Sequence, residues 1–220
     1  MNEETENQVK CKTRVADHGE VFTAKREVNA MLDLVKQETL RIDSRFLEPA
    51  CGSGNFLVEI LSRKLEVVKN KYKKSQSEYE KYLVVAISSI YGIDILEDNV
   101  QECKQRLYDM FDAEYLSIYK QKCKDALRDS VKFILEKNII LGDALTLTKV
   151  KSDEPIVFSE WSCVNNTMIK RRAYTLDELL AQQPQEQNTL FSDLHEEIFI
   201  PTPIKEYPLT HFLKLGQQDA

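Results

Sequence analysis

From Lys25 to Arg41 the apolar residues Val28, Met31, Leu32 and Val35 recur at helical spacing, which predicts one amphipathic helix with a single buried stripe. Arg45 to Glu48 reads as a short strand, ended by Pro49 and a Gly-Ser-Gly turn. Phe56, Leu57, Ile60, Leu61, Leu65 and Val68 then share one face of a second helix, which runs out in the charged stretch Lys69 to Lys74. A third helix is expected from Glu78 to Ile90, apolar at Tyr82, Leu83, Ala86, Ile87 and Ile90, and it feeds a strand from Tyr91 to Ile95. A long helix follows from about Asp98 to Tyr119, carrying Val100, Cys103, Leu107, Met110, Phe111, Glu114 and Tyr115. Another helix, from Lys122 to Leu135, leads into a third strand at Asn138 to Leu141, and Ile156 to Phe158 reads as a fourth. Strands separated by helices predict an α/β fold with a mainly parallel sheet and crossover helices.

The pattern changes beyond Ser159. Residues 182–190 are polar and linker-like, and residues 201–208 hold three prolines. The expected organisation is a flexible arm over residues 1–18, a folded domain over 19–160, and an irregular tail over 161–220 with one short helix near Leu176 to Ala181. Composition agrees with a globular chain: 42% hydrophobic and 30% charged, net charge −6. Bulk charge gives no support for nucleic-acid binding, although local patches remain open to it. Five dispersed cysteines without a C-x-x-C pair and three unclustered histidines argue against a disulfide frame or a closed zinc site. The absence of a long apolar run or a secretory leader predicts a cytoplasmic protein without a membrane span.

The candidate chemistry sits at strand ends. In Phe46-Leu47-Glu48-Pro49-Ala50-Cys51-Gly52-Ser53-Gly54-Asn55-Phe56-Leu57 a strand stops, the chain turns through two glycines, and a helix starts. Glycines let the backbone approach a ligand, and the helix start offers free N–H groups, so an adenosine cofactor with a polar tail would fit. The chain has only six glycines, and Gly92 and Gly142 lie in the next two strands, each leading to an acid. Asp94 in Tyr91-Gly92-Ile93-Asp94-Ile95 is placed to accept ribose hydroxyls, or else to cap the following helix. Its separation from Gly54 is about double the usual 20 residues, and the helix from Glu78 to Ile90 accounts for that. Asp143 in Leu141-Gly142-Asp143-Ala144 could accept an adenine amino group.

Glu-Pro-Ala-Cys-Gly-Ser-Gly-Asn-Phe-Leu resembles the first motif of the adenine-N6 DNA methyltransferases of restriction-modification systems. Upstream, Gly19-Glu20-Val21-Phe22-Thr23-Ala24 resembles that family's Gly-x-x-Phe-Thr-Pro, with Ala24 in place of proline, and Tyr91 to Ile95 and Ile140 to Leu145 look like the next two motifs. The resemblance implies a Rossmann-like class I methyltransferase fold that binds S-adenosylmethionine. In its terms Phe22 and Thr23 border the methionine end, and Glu48, Pro49, Ala50 and the Gly52-Ser53-Gly54 backbone hold it. Asp94 and Ile95 take the ribose, and Asp143 and Ala144 the adenine. Cys51 reads as a small packing residue.

Members of that family carry Asn/Asp/Ser-Pro-Pro-Tyr/Phe after a fourth strand, where a polar side chain and a backbone carbonyl hold the adenine amine and the aromatic ring stacks on the flipped base. Here the corresponding stretch is Pro155-Ile156-Val157-Phe158-Ser159-Glu160-Trp161-Ser162, and the chain contains no Pro-Pro. Ser159 or Glu160 as acceptor with Trp161 as stacking platform is one reading; Trp161 as a packing anchor is the bland one. The fold is therefore expected to be incomplete on its C-terminal side. Catalysis and target recognition on DNA would then need a partner subunit. The competing expectation is a non-catalytic scaffold of a defence or replication assembly, and a third is methylation of a non-DNA substrate. Lys170-Arg171-Arg172 and Lys69 to Lys74 are candidate phosphate contacts, with a solvated face as the alternative. Gln187-Asn188-Thr189-Leu190-Phe191 resembles the short peptides that bind the bacterial sliding clamp.

Overall fold

The computed structural model describes residues 23–165, 167–180 and 201–218. The chain enters through α1 (Lys25–Leu34) and α2 (Lys36–Thr39). The single helix expected there is interrupted at Val35, whose N–H bonds back to Leu32 O at 3.2 Å and tightens the turn. Only Val28 and Leu32 of the predicted stripe are buried; Met31 and Val35 stay exposed, and the change of direction buries Thr39 instead.

Three parallel strands follow: β1 (Phe46–Glu48), β2 (Ile90–Asp94) and β3 (Ile139–Asp143). Parallel neighbours need the chain to return over the sheet, and helices do this work. α3 (Asn55–Tyr72) and α4 (Gln76–Ser88) link β1 to β2, while α5 (Glu97–Tyr119) and α6 (Asp125–Asn138) link β2 to β3. A short β4 (Thr148–Lys149) turns back antiparallel on β3, so the order is β1-β2-β3-β4 and β1 lies at an edge.

The helical faces follow the periodicity. α3 buries Leu57, Ile60, Leu61, Leu65 and Val68, and α5 buries Val100, Cys103, Leu107, Phe111 and Tyr115. Together with α4 and α6 they form the larger core on one face of the sheet. Two charged residues are buried in it. Lys64, on the α3 stripe, donates to Ile42 O, Ser44 O and Ser89 Oγ and so fastens the loop entering β1. Glu80 of α4 accepts from Tyr115 Oη and Lys124 Nζ, both at 2.6 Å, and ties three helices together.

Among the described residues the other face has no long helix. Tyr91, Ile93, Ile156, Phe158 and Leu176 form a smaller core there, closed by β5 (Val157–Cys163) and α7 (Leu176–Leu180). This corrects the expected fourth strand. β5 does not join the parallel sheet; it pairs antiparallel with β6 (Met168–Thr175), from Val157↔Thr175 to Cys163↔Ile169. The connection from β3 contains no crossover helix, so the chain cannot return to run parallel.

The irregular tail expected over 161–220 is also corrected for its described part. β6 carries β7 (Lys205–Glu206) and β8 (Thr210–His211), and a 3₁₀ turn at Phe212–Gln217 buries Phe212 and Leu215 against α6, where Leu215 N–H donates to Ser130 Oγ. The clamp-like segment Gln187 to Phe191 lies outside the described residues, as does Phe22. Among the described residues no helix is long and apolar enough to cross a membrane.

Candidate functional site at the carboxyl edge of the parallel sheet

The carboxyl ends of β1, β2 and β3 bring Glu48, Asp94 and Asp143 to one edge of the sheet. The turn after β1 is anchored to β2 by Cys51 N–H donating to Ile93 O at 2.8 Å. Gly52 and Gly54 both have positive φ, +51° and +88°, which is what their lack of a side chain permits. At Gly54 space is also decisive, because a Cβ there would lie 2.6 Å from Cys103 Sγ. Gly54→Ala is accordingly expected to cost about 2–4 kcal/mol through left-handed strain and collision with α5. Urea unfolding checks this; a cost under about 1 kcal/mol would contradict the collision.

Asp94 holds the turn. Its Oδ2 accepts Gly52 N–H at 2.8 Å, and its Oδ1 accepts Leu96 N–H at 2.9 Å and Asn99 Nδ2 at 3.3 Å. One oxygen thus serves the glycine turn and the other closes a turn on Leu96, which is itself the N-cap of α5, so Asp94 is not the cap of that helix. Three of about four acceptor positions on the carboxylate are spent, which leaves room for one further hydroxyl donor rather than two.

Glu48 is different. It is half-buried, and among the described residues its carboxylate makes neither an ion pair nor a hydrogen bond, while burial pushes it above the ordinary carboxylate range. A carboxylate so placed at a ligand-shaped turn suits a cationic group. Pro49, Ala50 and Ile95 are exposed around the same edge, and Ser53 is buried. Asp143 accepts Leu145 N–H at 2.8 Å, the local bond of a turn acid, and Ala144 is half-buried beside it.

Two further side chains build the site: Asn55, from within the glycine motif, and Arg106, which carries no motif of its own. Arg106 of α5 reaches under the turn, where its Nη1 donates to Ser53 O at 2.7 Å, Ser53 Oγ at 3.1 Å and Asn55 Oδ1 at 2.8 Å. Asn55 Nδ2 in turn donates to Thr23 O at 3.1 Å and ties the segment before α1 to the turn. The signal for Arg106 was its place three residues after Cys103, a cation beside the buried stripe of α5. Cys51 is buried as a packing residue; the hydrogen bond that its S–H donates to Cys103, then burial, pushes its thiol far up, which makes it a poor nucleophile.

Ser159, Glu160 and Trp161 lie elsewhere. β5 starts near the carboxyl edge, where Ile156 packs on Gly142, and crosses the sheet toward the amino edge. There Trp161 Nε1 donates to Asn138 Oδ1 at 2.9 Å, and its ring meets Phe133 edge-on. Glu160 pairs with Arg45 at 2.6 Å, just before β1, and Ser159 Oγ accepts from Arg171 Nε at 2.9 Å. The structure does not bring these three to the glycine turn; Trp161 is a packing anchor. The basic run on β6 is also engaged: Lys170 and Arg172 pair with Glu206, and Arg171 is buried with its guanidinium 3.9 Å from the Tyr207 ring centroid.

Residues 22–155 match the family model described as MmeI, DNA-methyltransferase domain. A Methanocaldococcus jannaschii protein, provisionally named a type II restriction enzyme and methyltransferase, is 30% identical over 104 residues, 46% of this chain and 8% of that protein. The chain thus spans less than a tenth of that relative's length. No solved structure matches the chain. The matched span runs from the segment tied by Asn55, through the glycine turn and both strand-end acids, to the end of the parallel sheet, and on it the chain belongs to the MmeI-type DNA methyltransferase domain family of restriction-modification systems.

Proposed function

We propose that this chain is the S-adenosylmethionine-binding half of a DNA adenine-N6 methyltransferase, with the group that holds the adenine, and target recognition, supplied by a partner. The observation that carries this is Glu48: a half-buried carboxylate without a partner among the described residues, directly before a positive-φ glycine turn that Asp94 locks from β2. The residues present fit the cofactor. Glu48 would face its ammonium, Thr23 the methionine end, Asp94 a ribose hydroxyl and Asp143 the adenine amine. When bound, the cofactor supplies an electrophilic methyl group. The chain's own residues bind and orient; with β5 heading for the amino edge, none of the described residues forms the adenine-holding motif.

Calorimetry with S-adenosylmethionine tests this. The wild type is expected to bind, and Glu48→Gln to bind at least about tenfold more weakly, since a charge-assisted hydrogen bond contributes about 1.5–3 kcal/mol. No heat with wild type removes the cofactor claim and favours a methyltransferase-like scaffold, the reading that the absent adenine-holding motif also suits. Methyl transfer to adenine-containing duplex by this chain alone would overturn the need for a partner.

A further inference from the structure

α1 is fastened to α3 along its body. Arg63 of α3 donates to Asn29 O at 3.4 Å and to Asn29 Oδ1 at 2.9 Å and pairs with Asp33 at 2.9 Å, while Val28 and Leu32 are buried. The entry to α1 is held differently. Ala24 O accepts Glu27 N–H and Val28 N–H and so starts the helix, which leaves Thr23 O outside it. That oxygen accepts Asn55 Nδ2 at 3.1 Å, and the bond ties Thr23 to the glycine turn.

Arg106 decides which way the Asn55 amide lies. The two ends of a side-chain amide have the same shape, but one accepts and the other donates. With the guanidinium donating to Oδ1 at 2.8 Å, Nδ2 is left to face Thr23 O; a flipped amide would set N–H₂ against the guanidinium and oxygen against oxygen. Arg106 has no carboxylate partner among the described residues, and its Nη1 is spent on three neutral oxygens of this one turn. The residue after Thr23 makes that hold necessary. Ala24 has φ −64°, the value to which a proline ring would lock it, and a proline there would also keep Thr23 extended. Alanine fixes neither, so the hold on Thr23 falls to Asn55 and Arg106.

Resting on the S-adenosylmethionine reading, in which Thr23 borders the methionine end, we propose that Arg106 is a positioning residue for the cofactor and acts through Asn55. Its N–H sets the amide, the amide holds the Thr23 carbonyl, and the segment before α1 is thereby kept against the glycine turn. The guanidinium suits this task because its N–H groups are fixed in a plane, whereas a lysine ammonium on the same helix would rotate freely. Because Arg63 anchors α1 itself, loss of Arg106 releases Thr23 without unseating the helix.

S-adenosylmethionine calorimetry, urea unfolding and NMR of the isotope-labelled full chain test this. Arg106→Met is expected to bind the cofactor about tenfold more weakly and, without ligand, to move the Thr23 and Ala24 amide signals while those of Asn29 to Asp33 stay. Asn55→Asp keeps an acceptor for Arg106, and with it the wild-type unfolding midpoint, yet sets oxygen against Thr23 O and is expected to lose about the same tenfold. Adding Ala24→Pro to Arg106→Met fixes Thr23 by another route and is expected to recover about threefold of that loss or more. An arginine that only braces the fold would lower affinity in step with stability, and position 24 would not rescue it. Wild-type affinity in Arg106→Met or in Asn55→Asp, or a loss that Ala24→Pro leaves whole, overturns the proposal. The cofactor reading fails separately: if the wild type gives no heat while Arg106→Met still moves Thr23, the cofactor role is discarded and the link from Arg106 to Thr23 stands. A wild type that binds while Thr23 stays put in Arg106→Met keeps the cofactor and discards the link.

Discussion

Between pH 7 and pH 10 the wild type should gain stability relative to Lys64→Met. Lys64 is fully buried on α3, and burial drives its amine down to about 7, with Asp43 and Glu38 opposing. The unfolded lysine titrates near 10.4, so between the two values the unfolded state binds more protons and stability rises with pH. One unit is about 1.4 kcal/mol, which caps the gain at about 4 kcal/mol over three units. Ile42 O, Ser44 O and Ser89 Oγ all accept from Nζ and favour the ammonium, so a gain of about 2 kcal/mol is the expected result. The raised thiols of Cys51, Cys123 and Cys163 work the other way above about pH 8.5, and the raised phenols of Tyr79, Tyr91 and Tyr115 above about pH 10, because the unfolded groups lose protons first, so the lysine's contribution is read as the difference between the two proteins. Guanidinium unfolding under reducing conditions at pH 7, 8.5 and 10 measures this. Wild-type and Lys64→Met curves that stay parallel would mean that the amine titrates as if exposed.

Lys64 also shows where the sequence is silent. Its place on the apolar stripe, between Ile60 and Val68, is plain in the periodicity, but three acceptors from segments 20 or more residues away decide that a lysine belongs there. Local patterns read well wherever one face of a helix meets one core: α3, α5 and α6 and the three parallel strands lie close to where the periodicity sets them. The glycine turn was legible for the same reason, since positive φ and close approach to Cys103 are demands on single residues. β6 was not. Its inward positions are Ile169, Arg171 and Ala173, and an inward arginine breaks the alternation that marks a strand. Arg171 is tolerated because the aromatic ring of Tyr207, from a distant segment, covers its guanidinium, which no local window contains. The direction of β5 was hidden likewise: its residues are those of any buried strand, and only the hairpin with β6 turns it against the parallel sheet.

Asp94 separates scaffold from site most sharply, and replacing it by asparagine and by alanine is expected to give two different results. Asparagine keeps one acceptor oxygen and turns the other position into a donor. The oxygen is expected to stay with Leu96 N–H, because asparagine makes the same turn bond to the N–H two residues on as aspartate does. Gly52 N–H then faces an amide N–H₂ and loses its acceptor, which loosens the turn while α5 keeps its start. Asp94→Asn should therefore cost only about 1–2 kcal/mol of stability yet weaken S-adenosylmethionine by about 100-fold, since both the turn and the hydroxyl acceptor are affected. Asp94→Ala removes all three bonds and is expected to cost about 3 kcal/mol or more. Denaturant unfolding and cofactor calorimetry on both variants decide the matter. If asparagine binds the cofactor as wild type does while alanine merely unfolds more easily, Asp94 only braces the turns around β2 and the ribose lies elsewhere. If asparagine folds well and fails to bind, the carboxylate at the end of β2 joins the glycine turn to the ligand.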